Sequence, residues 1–249
     1  MVQKKSSTFL IKDLSKDAEK YLERRDYLKV YEIQEKILQN LVREYKDHNK
    51  YEAVELKAKL LNMFYSTGIQ AINSVVEKIM SIKNIDEILN GKKHSKELID
   101  IIAELNLSNG NTRNNYSFAT KYCALHQPKK YPIYDSIVAA IFISLLKQGK
   151  LPPYQLKKGK SEISTAINMT VGEFTANLRD YNFFVEVYNC FMSAYGLNSL
   201  SYRQVDRYLW GSYKVKDKQY EIEKITNIPS SKYFEYKDKE IKKTITIKE

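Results

Sequence analysis

The spacing of hydrophobic residues predicts a chain built almost entirely of helices. Apolar side chains recur at intervals of three and four residues, as in Tyr27, Val30, Tyr31 and Ile33, and this is the repeat of one helix face. We expect one helix between residues 18 and 45. The same spacing predicts helices over residues 51–65, 69–82, a short helix starting at Asn84, 95–105, 115–126, 136–146, 170–195 and 201–210.

Polar segments divide these helices into predicted regions. Residues 106–114 form a polar loop, and residues 149–159 form a lysine-bearing loop that contains Pro152 and Pro153. Ser201 and Gln204 fit a capping box at the start of the last helix. After Lys214 the pattern changes, and this part is either a short hairpin or a flexible arm. We therefore predict a helical extension over residues 1–50, a helical core over 51–213 and a basic tail over 214–249.

The composition indicates a globular, basic protein. Hydrophobic residues make up 43% of the 249 residues, which is enough for a sizeable core. Lysine and arginine number 41 against 30 acidic residues, a net charge of +11, and such an excess attracts polyanions. DNA is therefore the partner we predict. A lysine-rich surface with no such partner would have the same charge.

Several classes of protein are not expected from this sequence. The longest apolar run, Ile137 to Leu146, is too short to cross a bilayer, and Met1 to Ser7 is not a signal peptide. We expect a cytoplasmic protein without a membrane partner. Cys123 and Cys190 lie in apolar patterns and are predicted core thiols. The cysteines and histidines lack zinc-ligand spacing, so neither metal nor cofactor is expected.

Residues 94–148 combine features whose linked order is more specific than any one of them. A helix, a polar loop, a second helix and a short extended segment are followed by an aspartate at the start of another helix. The blocks are Tyr116-Ser-Phe-Ala-Thr-Lys-Tyr-Cys123, His126-Gln-Pro128, Tyr131-Pro-Ile-Tyr-Asp-Ser136, Leu61-Asn-Met-Phe-Tyr-Ser-Thr67 and Val205-Asp-Arg-Tyr-Leu-Trp210. Over roughly residues 50–212 the chain resembles the helix–hairpin–helix DNA glycosylases, above all bacterial 8-oxoguanine-glycosylase-like proteins. The resemblance implies an all-α, two-lobed helical fold and an enzyme that excises a base from DNA.

The resemblance also implies that Asp135 is the catalytic aspartate. Cleavage of a glycosidic bond builds positive charge on the sugar, and a nearby carboxylate stabilises that charge. The same carboxylate can orient the attacking water, and a helix N-terminus favours its ionised form. The alternative is that Asp135 serves only as the N-cap of the following helix.

The chain departs from the family at the position of the Schiff-base lysine. Bifunctional members carry this lysine at a place that here corresponds to Tyr116 and its neighbours, none of which is lysine. Lys121 lies fourteen residues before Asp135 and, on a helix, points in another direction from Tyr116. We therefore predict a monofunctional mechanism with water as the nucleophile. Lys121 remains a second candidate catalytic residue, and the alternative is a surface or ion-paired lysine.

The second departure concerns the predicted DNA contacts. The family's hairpin has two glycines that bring backbone N–H groups to a phosphate, whereas Gly110 is the single glycine in this loop. Side chains would then contact phosphate instead, although a solvated turn is an equal alternative. The predicted DNA-binding residues are Asn111, Arg113, Asn114, Lys129 and Lys130.

Base excision requires a pocket for the extruded base, formed from aromatic faces and hydrogen-bonding groups. The predicted substrate-binding residues are Tyr65, Tyr116, His126, Tyr134 and Trp210. Together these features predict a glycosylase for a damaged or modified base, including one in foreign or phage DNA, with a monomer favoured. The alternatives are a non-catalytic DNA-binding module on the same fold and a helical interaction or defence protein.

Overall fold

The computed structural model describes residues 29–106, 110–157 and 167–211, and in these ranges the chain is mostly helical. The predicted all-α class is confirmed at this level. The helices are α1 Lys29–Glu44, α2 Tyr51–Phe64, α3 Ile72–Ser81, α4 Ile85–Asn90, α5 Lys96–Ala103, α6 Tyr116–His126, α7 Ser136–Lys147, α8 Val171–Asn177, α9 Tyr181–Ala194 and α10, residues 202–211. The strands are β1 Glu104–Asn106, β2 Thr112–Asn114, β3 Tyr154–Leu156 and β4 Ile167–Met169.

The chain divides into two compact units, Met1–Tyr208 and Leu209–Glu249. The first unit continues through the predicted boundary at residue 50, because α1 packs against α2 and α6. Three predicted features lie outside the described residues: the helix start near Ala18, the end of the lysine-bearing loop after residue 157 and the basic tail after Lys214.

Helix α6 lies at the centre of the first unit. It packs against α1, α2 and α5, and its buried residues point in every direction around the helix axis. Phe118, Tyr122 and Cys123 are each at most 1% exposed, and Lys121 is buried with them. A helix with no solvated face is enclosed by other elements, so the polar side chains of α6 must find partners inside the protein.

The described residues of the predicted polar loop at 106–114 include the paired strands β1 and β2 at its two ends. Strands β1 and β2 pair antiparallel, with Leu105 opposite Arg113, and Gly110 has a φ of +80°. The preceding helix ends at Ala103, two residues earlier than predicted. The reason is that the carbonyl oxygen of Ala103 accepts a hydrogen bond of 2.7 Å from Asn115 N, at the far end of the hairpin. The order of elements is therefore helix, hairpin, helix.

The single helix predicted over residues 170–195 is wrong. The structure has two helices there, and Asp180 begins the second by accepting a hydrogen bond from Phe183 N at 3.0 Å. Both helices have apolar residues on the side that faces the core, so their periodicity runs on without a visible interruption. The strands β3 and β4 form a short parallel pair. This is a further difference, because β3 lies inside the predicted loop at residues 149–159.

Candidate active site

Asp135 is the N-cap of α7, as its position after an extended segment predicts. Its Oδ1 accepts hydrogen bonds from Ile137 N and Val138 N, both at 2.9 Å. The residue is half-buried. Its Oδ2 has no hydrogen-bond partner among the described residues. The N-cap role is therefore real, and it leaves one carboxylate oxygen able to accept a hydrogen bond from water or substrate.

The segment that carries Asp135 is attached to two helices. Thr120 Oγ1 of α6 accepts from Tyr134 N at 3.1 Å and lies 3.3 Å from Tyr134 O. Tyr181 of α9 donates its hydroxyl hydrogen to Pro132 O at 2.9 Å. A carboxylate fixed in this way keeps its orientation without the entropy cost of a flexible loop.

Lys121 lies in the same part of the protein as Asp135. It is 6% exposed, so it is not a surface lysine, and its Nζ donates to Ser117 Oγ at 2.8 Å. Burial lowers the pKa of Lys121, while the negative charges of Asp135 and Asp206 act in the opposite direction. The structure thus joins the two predicted catalytic residues electrostatically and adds a second carboxylate that the sequence analysis missed.

That second carboxylate belongs to a partly buried ionic cluster of Glu35, Arg203, Asp206 and Arg207, which we term the arginine–carboxylate cluster. Arg203 donates to Asp206 Oδ2 at 2.6 Å and to Glu35 Oε1 at 3.0 Å. Arg207 Nε donates to Glu35 Oε2 at 2.8 Å. Glu35 and Asp206 are only 7% and 6% exposed. Helix α1 therefore contributes to the environment of Asp206 and Tyr65.

The pKa values in this cluster follow from burial and charge. Burial, together with the nearby charges of Asp135 and Glu35, raises the pKa of Asp206 to about 6, although Arg203 opposes the shift. Burial also acts to raise the pKa of Glu35, but its two arginine partners lower it overall. In the sequence, only the block Val205–Trp210 contains members of this cluster that were noticed. No sequence feature distinguishes Glu35 from the other polar residues of α1.

Tyr65 is the predicted aromatic residue that joins Lys121. Its ring centroid is 5.9 Å from Lys121 Nζ and 5.3 Å from Arg203 Cζ. Arg203 also donates to the Tyr65 hydroxyl oxygen. Burial raises the pKa of Tyr65 to about 12, so the phenol is neutral. A half-buried aromatic ring beside two cations is a suitable platform for a polar planar group.

The other predicted pocket aromatics have different surroundings. The rings of Tyr116 and Tyr134 lie 4.8 Å apart, and Tyr134 also packs 5.3 Å from Phe184 of α9. Both tyrosines are less than 10% exposed, so they form part of the core between α6 and α9. Trp210 is half-buried and belongs to the second unit.

His126, a predicted substrate-binding residue, has no hydrogen bond to the Asp135 segment among the described residues. Its ring packs 4.6 Å from His48 and 5.1 Å from Tyr122. Its Nε2 is buried without a hydrogen-bond partner among the described residues. Five positions along a helix turn a side chain well away from the direction of Lys121. His126 therefore belongs to a separate buried group, in which His48 also bonds Asp86 at 2.6 Å and Tyr122 at 2.9 Å.

This histidine pair is expected to make the fold sensitive to acid. Burial lowers the pKa of His48 and of His126 below 6.5, and the charge of Lys57 adds to both shifts. A histidine with a lowered folded-state pKa stabilises the fold above its unfolded-state pKa and loses that contribution as the pH falls. Between pH 6.5 and 5 we expect the free energy of unfolding to fall by up to about 1.4 kcal/mol per pH unit for each neutral histidine.

Replacement of His126 by phenylalanine tests this expectation. The variant keeps the ring packing and removes one proton-binding site, so urea unfolding should show a shallower decline with acid. A matched His94→Gln variant removes the third histidine, whose ring bonds Asn182 Oδ1 at the surface, and should retain the wild-type slope. Equal slopes in the wild type and in His126→Phe would refute the role of this ring.

The predicted DNA-binding residues differ in their environments. Arg113 donates to Gly68 O at 3.0 Å, and Asn114 Oδ1 accepts from Tyr116 N at 2.9 Å. Lys130 donates to Leu89 O and, at 2.6 Å, to Gly91 O, so its ammonium group closes the end of α4. Asn111 and Lys129 are exposed. Arg113, Asn114 and Lys130 thus have structural roles that the prediction did not foresee.

The described residues have three further features that bear on function. A cavity of about 350 Å³ lies among α3, α4 and α5 and contains none of the predicted site residues. No described helix combines the length and the apolar character needed to span a membrane. In the same ranges, no three histidine, cysteine or acidic side chains are grouped as metal ligands would be.

This chain is similar to known proteins over part of its length. A family model for an N-terminal domain, HI_0787_N, matches residues 17–130. That range includes Tyr65 and Lys121 and ends before Asp135. An uncharacterised protein of Haemophilus influenzae is 38% identical over 100 residues, which make up 40% of this chain and 48% of the relative. The chain spans about half the length of that relative, and no solved structure matches it.

Proposed function

We propose that this protein is a DNA glycosylase that removes a damaged or modified base by Asp135-assisted hydrolysis. The observation that carries the proposal is a half-buried aspartate at a helix N-terminus whose negative charge acts on a buried lysine of α6. The order α5, β1–β2 hairpin, α6 and then Asp135 before α7 supports a helix–hairpin–helix glycosylase-like fold. DNA as the partner is supported by the net charge of +11.

The proposed reaction breaks the bond between the base nitrogen and C1′ of the sugar. The bonding electron pair leaves with the base, and the sugar gains oxocarbenium character. Asp135 stabilises this positive charge through Oδ2, since Oδ1 is held by two backbone N–H groups. Water then attacks C1′ and transfers a proton to the carboxylate. The departing base takes up a proton from solvent, and Asp135 returns its proton to solvent. The products are the free base and an abasic site.

The neighbouring residues would serve the same reaction. Tyr65 would pack against the extruded base, and the Lys121 ammonium would attract the negative charge that develops on the leaving base. Because burial lowers the pKa of Lys121, a larger fraction of its side chain would be the neutral amine than in an exposed lysine. Borohydride trapping of a covalent protein–DNA adduct would reveal lyase chemistry, whereas its absence alongside base release supports a monofunctional enzyme.

The test is a count of abasic sites in genomic DNAs that carry different base modifications, including phage DNAs. The native protein should generate abasic sites in at least one DNA, and the identity of that DNA would define the substrate class. A glycosylase of known activity serves as the positive control. No base release from any DNA, combined with salt-dependent DNA binding, would replace the proposal with a non-catalytic DNA-binding module. No DNA binding even at low salt would favour an interaction protein.

A further inference from the structure

We propose that Arg203 is a positioning residue that acts through Tyr65, holding its ring in the orientation that receives the extruded base, and that Glu35 of α1 holds Arg203 in turn. This inference rests on the proposed function, because it adds two residues to the same site. Neither Arg203 nor Glu35 contacts substrate in this role. Their effect on base excision passes through the ring that packs against the base.

The guanidinium group of Arg203 has a different partner at each of its three nitrogens. Its Nε donates to Glu35 Oε1 at 3.0 Å, its Nη1 donates to Asp206 Oδ2 at 2.6 Å, and its Nη2 donates to the Tyr65 hydroxyl oxygen. A guanidinium group is planar and its donors form a rigid fork. The two carboxylates therefore determine where Nη2 lies, and with it the place of the Tyr65 hydroxyl.

The Glu35 carboxylate is itself held at both oxygens. Its Oε1 accepts from Gln39 Nε2 at 3.0 Å as well as from Arg203, and its Oε2 accepts from Arg207 Nε at 2.8 Å. Glu35 is only 7% exposed, so water competes little for these bonds. The chain of hydrogen bonds from the Tyr65 hydroxyl thus ends on a buried and fully bonded carboxylate of α1.

Tyr65 requires such a bond because of its place in the fold. It is the C-cap of α2, and the backbone turns directly after it, with positive φ at Ser66 and Gly68. Its ring is half-buried, and the centroid is 5.3 Å from Arg203 Cζ and 5.9 Å from Lys121 Nζ. A half-buried side chain at a helix end would lose rotamer freedom when a base packs against it. The bond from Arg203 removes that freedom beforehand, so the ring is preorganised for the base.

The first experiment requires no DNA and observes Tyr65 directly. In protein labelled with fluorotyrosine, the ¹⁹F NMR signal of Tyr65 is assigned by its loss in Tyr65→Phe. Arg203→Lys keeps a positive charge between the two buried carboxylates but lacks the fork that also reaches the hydroxyl. We expect the Tyr65 signal to shift and broaden in Arg203→Lys. Glu35→Gln weakens the hold on Arg203 from α1, so it should change the signal in the same direction.

Arg207→Met is the matched control for this measurement. Arg207 also donates to Glu35, but it has no hydrogen bond to Tyr65 among the described residues, so the Tyr65 signal should keep its wild-type position and width. An unchanged signal in Arg203→Lys or in Glu35→Gln, or an equal change in Arg207→Met, would overturn the proposal. If Arg203→Lys fails to fold, Glu35→Gln gives the same comparison, because it leaves Arg203 paired with Asp206.

The second experiment uses a DNA from which the native protein releases a base. Single-turnover base release should be at least about tenfold slower in Arg203→Lys, since a displaced ring no longer orients the base. The salt dependence of DNA binding should match the wild type, because the net charge is the same. Tyr65→Phe lacks the hydroxyl, so Arg203→Lys should slow the reaction by no more than about twofold in that background. Effects that multiply in the double variant would mean that Arg203 acts by another route, and this would overturn the proposal.

The two experiments separate this proposal from the proposed function. Equal rates of base release in Arg203→Lys and the wild type would overturn the positioning role and leave the glycosylase proposal intact. Complete absence of base release by the wild type, with the ¹⁹F result as expected, would overturn the glycosylase proposal and leave the bond from Arg203 as the element that fixes the Tyr65 ring.

Discussion

Replacement of Asp135 by asparagine is expected to reduce the rate of base release by about 10²–10⁴-fold while leaving the fold intact. The two effects separate because the carboxylate has two functions. Asparagine is as good an N-cap as aspartate, and its Oδ1 can accept the same hydrogen bonds from Ile137 N and Val138 N. The amide has no negative charge, so it cannot stabilise an oxocarbenium-like sugar or accept a proton from water.

Two control variants make this result specific. Asp180 is also an aspartate N-cap, at the start of α9, and Asp180→Asn should retain wild-type base release. Asp135→Ala removes both the charge and the cap, so it should lose activity and also about 1 kcal/mol of stability. Single-turnover rates and urea denaturation of the same preparations measure both quantities. Base release by Asp135→Asn within about threefold of wild type would exclude Asp135 as the catalytic carboxylate.

Replacement of Arg203 by methionine is expected to lower the free energy of unfolding by about 3–5 kcal/mol. Arg203 bonds both Glu35 and Asp206, and both carboxylates are less than 10% exposed. Removal of the shared cation leaves Asp206 without its ion-pair partner and Glu35 with Arg207 alone, so the desolvation of these two buried acids is less well offset. Because α1 and α10 are joined through this arginine, we also expect α1 to show faster amide hydrogen exchange in the variant.

The matched comparison is Lys59→Met, which breaks the partly exposed bond between Lys59 and Glu55 at 2.6 Å. An exposed ion pair of this kind contributes less than about 1 kcal/mol, so the difference between the two variants isolates the effect of burial. Urea unfolding at pH 7.5 provides both values. If Arg203→Met cost no more than Lys59→Met, the arginine–carboxylate cluster would not hold α1 against the core.

The helical class and most helix positions could be predicted because they depend on local spacing and local caps. Ser95 accepts from Leu98 N as its position predicts, and Ser201 and Gln204 form the expected reciprocal bonds. Asp135 could also be placed at a helix N-terminus, because an extended proline-containing segment precedes it. The break at Asp180 escaped prediction because two successive helices with one shared apolar face have the same hydrophobic pattern as a single long helix.

The sequence by itself therefore determined a basic, mostly helical protein with a candidate carboxylate at the start of α7. Only the tertiary structure decided which charged side chains share the interior with it. Glu35 and Asp206 are far apart in the chain and look like ordinary polar residues of helices, and His126 and Lys130 look equally available for substrate or DNA. Their roles depend on burial and on partners brought from other helices, and these are properties of packing that no local pattern records.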